Sequence, residues 1–164
     1  TQFFKCIEKH VFLPIKNLQN KETLLSDIEK FTIDWQKAKN NNEALKARDF
    51  EAKIERNRRW LKRIETLPKN KKYKFTFTVI RFGDAIWIFC GGEPYSEIQT
   101  KLRDKFKEYV IIFSPLSGAN VGYLFPENRF GLGLYQEEAS VFEKGHFEIL
   151  VTSIESTIDK LIDV

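Results

Sequence analysis

The residues of this chain best suited to chemistry sit in glycine-rich segments that follow apolar runs. Glu93 stands in Gly91-Gly92-Glu93-Pro94, directly after the apolar run Ala85 to Cys90 (AIWIFC). A carboxylate is costly there unless it meets a partner or a metal ion, although it would also serve as a helix N-terminal charge favoured by the macrodipole. Tyr123 closes the segment Ser117-Gly118-Ala119-Asn120-Val121-Gly122-Tyr123, and Tyr135 follows Gly131-Leu132-Gly133-Leu134. Each tyrosine reads by pattern as a core aromatic with its hydroxyl satisfied, or as a phenol offered to a site. The only histidines, His10 and His146, lie in no ligand-like spacing and are expected to be structural or solvent-facing. Cys6 and Cys90 form no C-x-x-C pair and are expected to be two buried, small apolar side chains.

The elements that must position these groups follow from periodicity. From Lys21 to Leu67 there is no Gly or Pro, and Leu24, Ile28, Phe31 and Trp35 recur at helical spacing up to the turn signal Asn40-Asn41-Asn42. Ala47, Phe50, Ile54, Asn57, Leu61 and Ile64 form a second, heptad-like seam that Pro68 stops. Two antiparallel helices are therefore expected, a hairpin over residues 21–67. The period then changes to two, with Tyr73, Phe75, Phe77 and Val79 alternating against Lys74, Thr76 and Thr78, and Gly83-Asp84 marks a turn. Residues 85–90 are apolar without interruption, which predicts a central strand covered on both faces.

After this strand, Ser96 is placed to cap a helix with Ile98, Leu102 and Phe106 on one face, before the run Tyr109 to Phe113 (YVIIF). A strand-helix-strand unit of this kind joins parallel strands and leaves the loops after both at one end of the sheet. Those loops carry Glu93 and Tyr123, so a carboxylate and a phenol are candidates to converge. From His146 to Ile162 a stripe at Ile149, Ile154, Ile158 and Leu161 predicts a closing helix. The fold class expected is α/β: a small mixed, mainly parallel sheet with an antiparallel edge hairpin, flanking helices and the N-terminal helical hairpin.

At 164 residues with 14% aromatic composition, the chain predicts one folded module rather than a disordered segment. No apolar run is long enough to span a bilayer, so no transmembrane segment is expected. The charge is uneven, with 18 basic and 10 acidic residues up to Lys72 and 9 and 13 after it. The basic residues alternate with acidic ones and lack interleaved stacking aromatics, so nucleic acid is not an expected partner. The absence of methionine and of a leader pattern suggests a piece of a longer protein.

Three short blocks, GGEPYSEI (91–98), GANVGYLFPE (118–127) and LYQEEAS (134–140), resemble, in order and spacing, the neutral/alkaline ceramidase family. The lysine-rich helical hairpin before them resembles bacterial members of that family, and the likeness runs from about Phe12 onward. The resemblance implies that Glu93 and Tyr123 are ligands of a catalytic zinc ion, and that Tyr135 is a catalytic hydrogen-bond donor to the reacting carbonyl. It also implies hydrolysis of an N-acyl amide, ceramide or a related lipid amide, by zinc-activated water. The family's other two zinc ligands are histidines well upstream, so the chain is expected to be a C-terminal fragment, inactive alone and dependent on the upstream part of the protein. Gly91 departs from the proline common before the Gly-Glu pair, and Phe125-Pro126 from the residues usual after the tyrosine; both put ceramide specificity in question. A secreted or periplasmic location is implied by the same resemblance. The alternative is a non-catalytic binding or assembly module in which the basic hairpin, through Lys46, Lys53 and Lys62, contacts a partner.

Overall fold

A computed structural model describes residues 4–163. The chain forms two compact units: Asn17–Lys69 is one, and the segments on either side of it make the other.

The first unit is the expected hairpin. Helix α1 spans Lys21–Asn40 and α2 spans Ala44–Thr66. Asn20 caps α1 by accepting the Thr23 N–H at 2.7 Å, and the turn between the helices places Asn42 at φ +57°, a conformation asparagine tolerates. A Lys21–Glu65 ion pair at 3.3 Å joins the start of α1 to the end of α2, as antiparallel helices require. Leu24, Ala38, Ala47 and Ile54 are buried, and Phe31 stacks on Phe50 with ring centroids 6.4 Å apart.

The second unit is an α/β fold. Strands β1 (Phe4–Pro14), β2 (Lys72–Phe82), β3 (Ala85–Cys90) and β5 (Val110–Ser114) form a four-stranded mixed sheet in the order β1-β2-β3-β5. A second, two-residue pairing joins β4 (Glu93–Pro94) to β6 (Tyr123–Leu124). Helix α3 (Glu97–Lys105) connects β3 to β5, α4 (Tyr135–Ala139) follows β6, and α5 (His146–Ile162) closes the chain. β3 and β5 are parallel, as the strand-helix-strand reading requires. The sheet is nevertheless not mainly parallel, because β1 pairs antiparallel along the whole of β2 and β2 pairs antiparallel with β3. The periodicity of β1 hid it: its inward positions include Lys5 and Lys9 between Ile7, Val11 and Leu13, which breaks the apolar alternation. With β1 alongside, the β2–β3 hairpin lies inside the sheet rather than at its edge.

Four further expectations give way to geometry. β3 is central but not covered on both faces, since Ile86, Ile88 and Cys90 are buried while Trp87 is 43% exposed. α5 covers only one side of the sheet, against β1 and β2. Its buried face is Phe147, Leu150, Val151, Ile154, Ile158 and Leu161, whereas Ile149 points outward. Cys6 lies on the uncovered side and is exposed; only Cys90 is buried. Ser96 occupies the N-cap of α3 without a side-chain cap bond, and Ile98, Leu102 and Phe106 are buried as expected.

Candidate functional site

The site is built where β3 and β5 end. Both strands run in the same direction, so the chain leaves them at one end of the sheet. Gly91 and Gly92 then let the first loop press against the second. A Cβ at Gly91 would lie 2.8 Å from the Ala119 carbonyl oxygen. Gly92 has φ +68°, and a Cβ there would sit 2.7 Å from Leu124 Cδ1 and 2.9 Å from the Gly122 oxygen. Only glycine combines this backbone conformation with this approach.

Backbone hydrogen bonds lock the two loops in register. Gly92 N–H donates to Ala119 O at 3.1 Å, Glu93 N–H to Gly122 O at 2.8 Å, and Tyr95 N–H to Leu124 O at 2.8 Å. Glu93 and Tyr123 are thereby direct partners in a parallel pair, which puts their side chains on the same side. The phenol pKa of Tyr123 is raised, first by the negative charge of Glu93 beside it and then by desolvation. Tyr135, at the first position of α4, brings its ring to 6.0 Å from that of Tyr123, edge to face. The residues singled out from sequence as Glu93, Tyr123 and Tyr135 therefore come together. Tyr135 is 61% exposed and faces solvent from this cluster.

Two residues that pattern reading left out, Tyr95 and Ser140, and one that it read as structural or solvent-facing, His146, complete the arrangement. Tyr95 lies two residues after Glu93 in extended chain and adds to the electrostatic environment of Tyr123; the i, i+2 spacing was the available signal. Ser140 is fully buried, donates to the Tyr123 carbonyl at 2.9 Å, and accepts the Phe142 N–H at 3.2 Å. It thus ties the end of α4 to the backbone of the strand that carries Tyr123. His146 is fully buried and fixes the next residues of that strand: its Nε2 accepts the Phe125 N–H at 3.3 Å, and its Nδ1 donates to Glu143 O at 2.7 Å. Accepting at Nε2 requires the neutral ring with its proton on Nδ1. Burial, partly opposed by the Glu143 carbonyl, pushes its pKa down to about 4. It stacks on Phe142 with centroids 5.1 Å apart and meets Phe125 and Phe130 edge on.

The arrangement offers one carboxylate and one phenol to a cation, with a second phenol beside them. Both nitrogens of His146 are engaged inside the fold, and His10 is exposed on β1, so neither imidazole joins the cluster. Among the described residues no three His, Cys, Asp or Glu side chains come together in a way that would hold a metal ion. No protein-family model, curated protein or solved structure matches this chain.

Proposed function

We propose that this chain is the C-terminal part of a neutral ceramidase-like, zinc-dependent amidase, in which Glu93 and Tyr123 hold zinc and Tyr135 assists the chemistry. The observation that carries the reading is the parallel pairing of Glu93 with Tyr123, with Tyr135 stacked edge on to the second of them. The donor types fit zinc: a carboxylate oxygen is an ordinary ligand, and a phenol, normally protonated below a pKa of about 10, becomes a ligand where cationic charge favours its deprotonated form. Without a cation the Tyr123 proton stays, because the negative charge of Glu93 raises the phenol pKa. Two oxygen donors are half of a four-ligand site, and the reading assigns the remaining histidines to the upstream part of the protein.

Bound zinc would supply Lewis acidity, polarising an amide carbonyl and activating water. The protein's own contribution is positional. The interlocked loops fix Glu93 against Tyr123, and the exposed Tyr135 hydroxyl is free to donate to the carbonyl oxygen as negative charge develops on it. The water oxygen bonds to the carbonyl carbon, the C–N bond breaks, and a proton passes to the departing nitrogen, leaving a carboxylic acid and a free amine. The substrate is an N-acyl amide such as ceramide or a related lipid amide.

The rival reading, an assembly module acting through the basic hairpin, has less support. Lys46 already pairs with Glu43 at 3.1 Å, and Lys53 lies over the rings of Phe31 and Phe50. In a protein containing the whole site, Glu93→Ala and Tyr123→Phe are expected to strip or weaken zinc. Tyr135→Phe is expected to keep zinc and lower the rate of amide hydrolysis by roughly 10²–10³-fold, the usual effect of losing one oxyanion donor. Metal analysis and an amide-hydrolysis assay decide it. Unchanged zinc content and activity in all three variants would remove the assignment.

A further inference from the structure

The side of the sheet away from α5 presents an apolar surface that the proposed chemistry does not use. Strand register aligns it into two cross-strand rows, one running through Phe4, Phe82 and Val110 and the next through Cys6, Trp87 and Ile112. Neither row contains a charged residue, and both cross all four strands. In the following row Glu8, Thr78 and Ser114 flank the half-buried Phe89, which stacks on Trp87, so the band gives way to a largely polar rim there. Phe4 is 64% exposed, Phe82 52%, Val110 62%, Trp87 43% and Ile112 39%.

For aromatic and branched side chains of the usual size, these fractions amount to roughly 600 Å² of open apolar surface. That is at the top of the range a monomer ordinarily leaves exposed, and it approaches the roughly 800 Å² per partner of a standard protein interface. A two-fold interface must be complementary to itself. An uncharged apolar band meets that condition, since a second copy can cover it without burying any unpaired charge. Nucleic acid or an anionic membrane would find no cation within the rows. Sheets pack face to face at a spacing of about 10 Å through interdigitating side chains, and the protruding Trp87, Phe82 and Phe4 suit that layer.

We propose that this face is the interface of a two-fold dimer of the chain, sheet packed on sheet. The rows cross β3 and β5 near their starts, whereas Glu93 and Tyr123 follow the ends of those strands, so dimerisation leaves the candidate site open. The proposal stands independently of the zinc assignment.

Cys6 lies in the second row and supplies a direct probe. Cys90 does not compete for alkylation, because it is buried and its thiol pKa is pushed up to about 12. Sedimentation velocity of the 164-residue chain over a range of micromolar concentrations is expected to show a monomer passing to a species of twice the mass. Over the same range, the rate at which iodoacetamide modifies Cys6 is expected to fall in step with the dimer fraction. Val110→Lys and Phe82→Lys, at exposed positions, each bury an unpaired charge against the apolar partner and are expected to raise Kd by more than about tenfold while keeping wild-type circular dichroism. A chain that stays monomeric with a constant Cys6 rate overturns the proposal. So does association that persists undiminished in both lysine variants, which would place the contact on another surface such as the edge of β1.

Discussion

Acidification should destabilise the α/β unit through His146 alone by an amount the structure sets. The imidazole is fully buried, its Nε2 accepts a backbone N–H, and no carboxylate is hydrogen-bonded to the ring. Its pKa is about 4 in the fold, against an ordinary value of 6.5. Because the folded value is depressed, the unfolded chain takes up the proton first as pH falls. The stabilisation is complete above pH 6.5 and is lost progressively as pH drops through the window from 6.5 to about 4. Linkage over that window gives a loss of about 2 kcal/mol between pH 7.5 and pH 5.0, and about 3 kcal/mol below pH 4. The assay is urea unfolding at pH 7.5 and 5.0, followed by Trp87, the tryptophan of the α/β unit, in a background lacking Trp35 and Trp60. His146→Gln keeps an acceptor near Phe125 but cannot titrate, so its stability should change less over the same interval by about 2 kcal/mol. Equal losses in the two proteins, or a His146 ring resonance titrating near 6.5 in the native state, would refute the reasoning.

Two substitutions test how the loops are held. Gly92→Ala combines a positive φ with a Cβ placed 2.7 Å from Leu124 Cδ1, so it should cost about 1–3 kcal/mol and shift Glu93 out of register with Tyr123; thermal unfolding and loss of protection at the Glu93 amide in hydrogen exchange would show it. Ser140→Ala leaves the Phe142 N–H without its acceptor and the Tyr123 carbonyl without its donor, and should cost about 1–3 kcal/mol. An unchanged unfolding midpoint in Ser140→Ala would mean that its two hydrogen bonds do not hold the strand.

Much of this architecture was legible because its signals are local. Helix periodicity ended at Asn40 and Pro68, alternation began at Tyr73, and the strand-helix-strand order of residues 85–114 required parallel strands with their outgoing loops together. That last inference brought Glu93 and Tyr123 to one place, and the parallel pair β4–β6 is its detailed form. Signals that depend on distant partners were not legible. β1 was missed because Lys5 and Lys9 point inward, Lys5 reaching the backbone carbonyl of Lys160 in the last turn of α5. Cys6 and Ile149 were misplaced because a small or aliphatic side chain carries no mark of which face of its element is covered.

The sequence by itself determined most of the elements, β1 and α4 excepted, the order of the loops and the residue types available at the site, since these depend on spacing along one strand or helix. Only the tertiary structure decided which faces are covered. It made the sheet largely antiparallel, turned one face of β3 outward, and enclosed His146 and Ser140 as the groups that hold the Tyr123 strand. The physical reason is that burial and hydrogen-bond satisfaction are set by what packs opposite a residue, and for Tyr123 those partners lie up to 30 positions away in the chain, at Glu93.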